Sequence, residues 1–252
     1  MTDQRYDRQV LFSGLGEKGQ AMLARASAVQ VGCGALGSTN AACLVRAGVG
    51  RYTIIDRDTV EISNLARQFL FDEDDAAQRS KKALAAAAKL GRANSTVKVA
   101  GIAEELNAQN VDRLLSGHDL VIDATDNMEA RFVINAWCIA HNIPWIYGGI
   151  AGSCGMTMVI LPGAGPCLCC LFPDPDACAG ALTTQIAGVI NTAPALIAAL
   201  QSTEALKILT RSAEIITDFR LIDLWTGEWQ RIPVKRDPKC KCCGGGKVAS
   251  SK

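Results

Sequence analysis

Four cysteines have the most specific spacing in this sequence. Cys167 and Cys170 form one Cys-x-x-Cys pair in the middle of the chain, and Cys240 and Cys243 form a second pair near its end. Four thiolates are the ligand set of a closed, tetrahedral, structural zinc site. The two pairs lie too far apart for a single zinc ribbon. The spacing therefore predicts a zinc ion that ties the C-terminal tail back onto a mid-chain loop.

A glycine-rich segment near the N-terminus predicts a nucleotide site. Gly32, Gly34 and Gly37 form a G-x-G-x-x-G pattern directly after a short apolar run. Such glycines permit a tight turn, and the helix that follows presents its N-terminus to a phosphate. Asp56 ends the next strand, about 20 residues after the last glycine, where a ribose-binding acid is found. The alternative for Asp56 is a solvated acid at a strand end. Dinucleotide and ATP sites share these features.

Cationic side chains after the second strand favour a nucleoside triphosphate over a dinucleotide as the bound ligand. Arg67 lies in the segment 63–68, and Lys81 and Lys82 follow it. A triphosphate carries more negative charge than a dinucleotide pyrophosphate and is commonly clamped by such side chains. We expect Lys82 to contact phosphate and Lys81 to lie on a solvated helix face.

Polar residues also follow the apolar run at 120–124. Asp126 and Asn127 stand at the expected carboxyl end of that strand. A carboxylate at this edge of a parallel sheet can hold magnesium. Alternatively, Asp126 or Asn127 caps the helix expected over residues 129–141. Neighbouring residues can fill both roles.

Alternating strands and helices must position these groups. The pattern predicts a doubly wound, Rossmann-like, mainly parallel α/β sheet with helices on both faces, extended by a late antiparallel pair. Residues 162–176 are rich in Pro, Gly and Cys and are expected to form a loop. Residues 28–34 are expected to form a short strand that runs into the glycine-rich turn. The other expected strands cover residues 51–56, 96–100, 120–124, 144–147, 156–161, 219–223 and 228–233, and the expected helices cover 42–47, 81–90, 129–141 and 195–209.

Composition narrows the class of protein. The chain has 252 residues, 49% of them hydrophobic, and a net charge of +1 from 26 basic and 25 acidic residues. Balanced charge argues against a nucleic-acid binder that works by neutralising phosphates. The polar start carries no signal-peptide pattern, and the apolar stretch 193–200 is too short to cross a bilayer. We therefore expect a cytoplasmic protein, where paired cysteines bind metal more often than they form disulfides.

Taken together, the motifs resemble those of the ThiF/MoeB/HesA family, the bacterial relatives of ubiquitin-activating enzymes. The resemblance implies one adenylation domain over residues 1–252, with structural zinc, usually in a homodimer. Its expected parts are an N-terminal helical arm (1–27), a nucleotide-binding core (28–161), a zinc and crossover loop (162–190), and a late helix, antiparallel strands and zinc-bound tail (191–252). The matching segments, in family order, are 5–9, 32–37, 55–60, 63–68, 123–127 and the two cysteine pairs.

The resemblance also implies roles for particular residues. Asp56 would hold the ribose, and Asn64, Arg67 and Lys82 would hold the phosphates of ATP. Lys82 is preferred to Lys81 because the family's lysine stands twelve residues before the asparagine that matches Asn94. The remaining expected roles are magnesium binding by Asp126 beside Asn127, entry of Arg8 into the neighbouring subunit's ATP site, and zinc binding by Cys167, Cys170, Cys240 and Cys243, with Cys169 and Cys242 as bystanders.

The family's members adenylate the C-terminal Gly-Gly carboxylate of a small ubiquitin-like sulfur carrier, and this activity is expected here. One position departs from the family. Members that form a thioester or persulfide carry a cysteine where this chain has Thr184, and a threonine cannot form a persulfide. Cys178 lies six residues earlier and is either a substitute or a loop cysteine without a role. We therefore expect a separate sulfur donor.

Three other functions remain open at this point. A dehydratase of the same superfamily acts on a threonylcarbamoyl-modified tRNA base, but the balanced charge and the two cysteine pairs disfavour it. A nicotinamide-dependent oxidoreductase would need a substrate domain and a His or Tyr/Lys catalytic set, which the sequence lacks. A non-catalytic, zinc-stapled docking protein would not be expected to keep Arg67, Lys82 and Asp126. The carrier served, whether for thiamine, molybdopterin, cysteine or thiolated tRNA, is not fixed by the sequence.

Overall fold

The computed structural model describes residues 4–173 and 188–244, and these build one eight-stranded sheet. Its strand order is β3-β2-β1-β4-β5-β6-β7-β8. The first five strands along this order run parallel, and the last three are added antiparallel. The strands are β1 (Ser27–Val31), β2 (Arg51–Ile55), β3 (Lys98–Ile102), β4 (Leu120–Asp123), β5 (Trp145–Ala151), β6 (Cys154–Ile160), β7 (Phe219–Asp223) and β8 (Glu228–Ile232).

Helices cover both faces of the sheet, which confirms the doubly wound arrangement. The long helices are α3 (Ala35–Ala47), α5 (Lys82–Ala93), α7 (Met128–His141) and α9 (Thr192–Leu209). None of the helices among the described residues is long and apolar enough to cross a membrane. The short helices are α1 (Asp7–Val10), α2 (Gly16–Leu23), α4 (Glu73–Ala77), α6 (Val111–Leu115) and α8 (Leu168–Leu171).

The central strands separate two hydrophobic cores. Side chains alternate across a strand, so Ala28 of β1 joins the core beneath α3, α5 and α9, while Val29 joins the core beneath α6 and α7. The strand β4 alternates in the same way, and every one of its residues is buried. Burial on both faces explains why these strands are mainly apolar, with Gln30 and Asp123 as buried polar exceptions.

Two expectations about the elements need correction. The helix expected over residues 42–47 begins earlier, at Ala35, because the chain enters it directly from the glycine-rich turn. The segment expected to be a loop, 162–176, contains the short helix α8. The backbone N–H of Leu168, at the start of α8, donates to Asn135 Oδ1 at 3.0 Å. That contact comes from a distant helix, so local composition does not reveal it.

The N-terminal arm packs against the end of the sheet opposite the glycine-rich turn. The Tyr6 hydroxyl lies 2.8 Å from Asn94 Nδ2, at the C-terminal end of α5. Gln9 Nε2 donates to the Ala47 carbonyl at 2.8 Å, at the C-terminal end of α3. Because α3 begins beside the turn and has 13 residues, this end lies about 20 Å from the turn.

Candidate nucleotide and metal sites

Two glycines of the turn between β1 and α3 are required by close backbone packing. Gly32 has a φ of +93°, and a Cβ there would overlap the Ala124 carbonyl. A Cβ at Gly37 would overlap the Gly32 carbonyl. Gly34 differs, because the nearest atom to its hypothetical Cβ is Gln68 Nε2 at 3.8 Å. The N-terminus of α3 therefore has room beside Gly34 for a phosphate.

Asp56 is held directly beneath this turn. Its two carboxylate oxygens accept separate backbone N–H groups, from Cys33 at 2.6 Å and from Asp58 at 2.7 Å. Burial raises the pKa of Asp56, although these two donors and the nearby Lys82 ammonium oppose the shift. The result is an oriented acceptor at the carboxyl end of β2, which suits a pair of ribose hydroxyls.

The two neighbouring lysines diverge at the start of α5. Lys82 is the first helical residue, its side chain is 8% exposed, and its Nζ lies 3.1 Å from Asp58 Oδ2. Lys81 is exposed, and its Nζ donates to the Arg57 carbonyl at 2.8 Å. The Asp58 backbone N–H donates to Asp56, so Lys82 faces the same loop as the ribose acceptor. Lys82 is thus the lysine that lies beside the ribose acceptor, and its role as the phosphate clamp stays a prediction.

Asn64 and Arg67 belong to a compact turn that includes the 3₁₀ segment Ile62–Asn64. Asn64 is buried, and its Oδ1 accepts the Glu61 backbone N–H at 3.2 Å, which closes the turn. Arg67 Nη1 donates to the Ser63 carbonyl at 2.9 Å. No ion pair within residues 4–173 and 188–244 involves Arg67. Its charge is therefore available to an anion.

The loop after β4 separates a structural aspartate from a solvent-facing one. Asp123 is fully buried, and Arg131 Nε donates to it at 3.0 Å. Arg131 Nη2 also donates to the Thr125 carbonyl at 2.7 Å, so the arginine holds the loop in place from its buried side. Asn127 caps α7 by accepting the Ala130 N–H at 2.7 Å. Asp126 is left exposed between these anchors and is the carboxylate here that a magnesium ion could use.

The two cysteine pairs meet beneath α7. Cys167 Sγ lies 3.6 Å from Cys240 Sγ, Cys170 Sγ lies 3.4 Å from Cys243 Sγ, and all four sulfur atoms lie within 4.8 Å of one another. Tetrahedral zinc with bonds of about 2.3 Å places its sulfur ligands roughly 3.8 Å apart. The cluster therefore fits one zinc ion. The cysteines among the described residues are free thiols.

Of the remaining expected residues, the structure describes only Arg8. Arg8 is exposed on α1, and its neighbour Gln9 bonds to the Ala47 carbonyl, at the end of α3 that lies about 20 Å from the glycine-rich turn. Thr184 and Cys178 lie outside the described residues.

Sequence reasoning missed three residues that organise the site. Asp58 pairs with Lys82, and Arg131 holds the loop that carries Asp126. Gln68 is buried, and its amide lies against Gly34. An arginine on the mainly apolar face of a helix is a signal that could have identified Arg131, because buried charges are normally paired.

Comparisons with known proteins identify the family of this chain. The profile of the ThiF family matches residues 6–242. The chain is 42% identical over 244 residues to the sulfur carrier protein ThiS adenylyltransferase of Bacillus subtilis, covering 95% of this chain and 71% of that protein. It is 36% identical to a sulfur carrier protein adenylyltransferase of Thermus thermophilus, covering 95% of this chain and 90% of that protein.

Solved structures show the same fold. The crystal structure of E. coli MccB with MccA-N7isoASN superposes with a TM-score of 0.85 at 23% identity, covering 97% of this chain and 75% of that chain.

The names of the curated relatives confirm the predicted enzyme class, an adenylyltransferase related to ubiquitin-activating enzymes. The chain belongs to the ThiF family.

Proposed function

We propose that this chain uses ATP to activate the C-terminal Gly-Gly carboxylate of a small ubiquitin-like sulfur-carrier protein of the ThiS/MoaD type. The products are an acyl-adenylate and pyrophosphate. The main support is the gathering of an open glycine-rich turn, a ribose acceptor and two cations at one edge of the sheet. These groups are the Gly34 turn, Asp56, Lys82 and Arg67. The ThiS adenylyltransferase relative supports the choice of carrier.

In the proposed reaction, a carboxylate oxygen of the carrier forms a bond to the α-phosphorus of ATP. The bond from that phosphorus to the bridging oxygen breaks, and pyrophosphate leaves. The nucleophile is already ionised, so no general base is needed. Catalysis then rests on alignment by Asp56 and on charge neutralisation by Arg67 and Lys82. Bound magnesium, held by Asp126, would neutralise further phosphate charge.

We further propose that the enzyme is a homodimer and that Arg8 completes the partner's site. The arm that carries Arg8 is anchored at the Ala47 end of α3, about 20 Å from the glycine-rich turn. This placement supports a role for the arginine at a nucleotide site across a subunit boundary. A zinc ion on Cys167, Cys170, Cys240 and Cys243 would be structural, because four protein ligands leave no open position.

The activity would end at the acyl-adenylate, with sulfur coming from a separate donor, because threonine replaces the family cysteine at position 184. We propose that residues 1–252 form a single adenylation domain. Free thiols in the described part of the chain fit a reducing compartment such as the cytoplasm.

The test is ATP–pyrophosphate exchange with a panel of candidate carriers. We expect exchange that depends on magnesium and on a carrier ending in Gly-Gly, with no competition from nicotinamide dinucleotides. The same carriers lacking their last two residues serve as matched controls and should support no exchange. Equal exchange with intact and truncated carriers would show that the carboxylate is not the substrate.

A further inference from the structure

Two more thiols lie beside the proposed zinc ligands. Each cysteine pair belongs to a C-x-C-C segment, which adds Cys169 to the first pair and Cys242 to the second. The sulfur atoms of Cys169, Cys242 and Cys167 all lie within 4.8 Å of one another. This second group has Cys167 in common with the four-thiol cluster. Cys169 and Cys242 are half-buried and accessible from solvent, whereas Cys167 is buried.

A buried amide is directed at these two sulfur atoms. Asn135 lies on the inner face of α7 and is completely buried. Its Oδ1 accepts the Leu168 N–H, and its Nδ2 donates to Cys242 Sγ at 3.1 Å and to Cys169 Sγ at 3.5 Å. A neutral thiol is a weak hydrogen-bond acceptor. Donors from outside the ligand shell are a regular feature of metal-bound ligands, and they orient those ligands.

We propose that Cys167, Cys169 and Cys242 form a second metal site, next to the zinc site, for a soft ion that accepts three sulfur ligands. Cu(I) is the physiological ion of this chemistry, because thiolates select soft metals. Cys167 would bridge the two metals. Each coordinating thiol would release its proton to solvent. Lys239 and Lys241 alternate with the tail cysteines and add positive charge beside the thiolate cluster.

The test is a Cu(I) titration of the zinc-loaded full-length protein, without oxygen and against a chromogenic Cu(I) chelator. We expect one tightly bound copper per chain with all of the zinc retained. The double variant Cys169→Ser/Cys242→Ser keeps the four proposed zinc ligands. Because loss of a single outer-shell partner already weakens metal binding roughly 10–100-fold, loss of these two ligands should weaken copper binding more than about 100-fold.

The control variant is Cys43→Ser, which removes an exposed cysteine on α3 outside the cluster and should bind copper like the parent. Zinc content and thermal unfolding are measured first on every variant. Loss of zinc from the double variant would overturn the assignment, because the thiol pair would then belong to the zinc site. Parent-like copper binding by the double variant, or release of one zinc per copper from the parent, would also overturn it.

This inference rests on the proposed zinc site, and the two can fail separately. A parent protein purified without zinc would contradict the four-thiol zinc site. The comparison of copper affinity between parent and double variant would then still decide the three-thiol site.

Discussion

Replacement of Lys82 by alanine tests the site where the structure distinguishes two adjacent lysines. The Lys82 side chain is 8% exposed and faces the Asp58 loop, whereas Lys81 is exposed and bonds to the Arg57 carbonyl. Removal of one preorganised electrostatic group from a transition state costs about 10²–10³ in kcat. We therefore expect Lys82→Ala to lower carrier-dependent pyrophosphate exchange roughly 100–1000-fold. The matched variant Lys81→Ala should change it less than about threefold.

The fold should survive the substitution. Asp58, the partner of Lys82, is 55% exposed, so solvent screens the pair, and its loss costs about 1 kcal/mol or less. For a chain of this size, that lowers Tm by roughly 2–4 °C. A large loss of activity with a small loss of stability identifies a functional lysine.

Exchange is measured for parent, Lys81→Ala and Lys82→Ala at saturating carrier and varied ATP, with thermal unfolding in parallel. Two results would refute the reasoning. One is exchange at the parent rate in Lys82→Ala. The other is an equal loss in both variants, which would mean that burial does not distinguish the two side chains.

Three further predictions follow from the other parts of the site. Cys240→Ser should lose zinc, and its free energy of unfolding should fall by at least about 2 kcal/mol, which corresponds to a Tm lowered by roughly 4–8 °C. Parent-like zinc content by metal analysis would contradict this. Mixing Arg8→Ala with Lys82→Ala chains should restore about a quarter of the activity, since half of the randomly formed dimers hold one intact site; no recovery after verified subunit exchange would count against a shared site. Thr184→Ala should keep exchange near the parent level; a covalent carrier conjugate that disappears in Cys178→Ser, seen by intact mass with a sulfur donor present, would show that the reaction does not end at adenylation.

Buried parallel strands were the most predictable part of the fold. The runs at 51–56 and 120–124 became β2 and β4 within a residue at each end, because burial on both faces favours mainly apolar side chains there. The short helix α8 was missed, because its first N–H is satisfied by Asn135 from another helix. Local propensity carries no trace of such a contact.

The candidate site likewise has a part that the sequence predicts and a part that only the folded structure shows. The glycine spacing and the acid at the end of β2 have fixed separations along the chain, so Gly32, Gly37 and Asp56 could be named in advance. Asp58 and Arg131 act through contacts made only in the folded chain, Asp58 with Lys82 and Arg131 with the loop after β4. The sequence therefore predicts what a ligand would touch better than what holds those groups in place.

The central claim is that this protein transfers AMP to a terminal Gly-Gly carboxylate. The most direct measurement is the intact mass of the carrier after incubation with enzyme, ATP and magnesium, with pyrophosphatase present to remove the second product. We predict a mass increase of one AMP moiety on a carrier ending in Gly-Gly, and none on the same carrier without those two residues or with Lys82→Ala enzyme. An unmodified carrier under these conditions, or transfer of a phosphoryl group instead of AMP, would contradict the account.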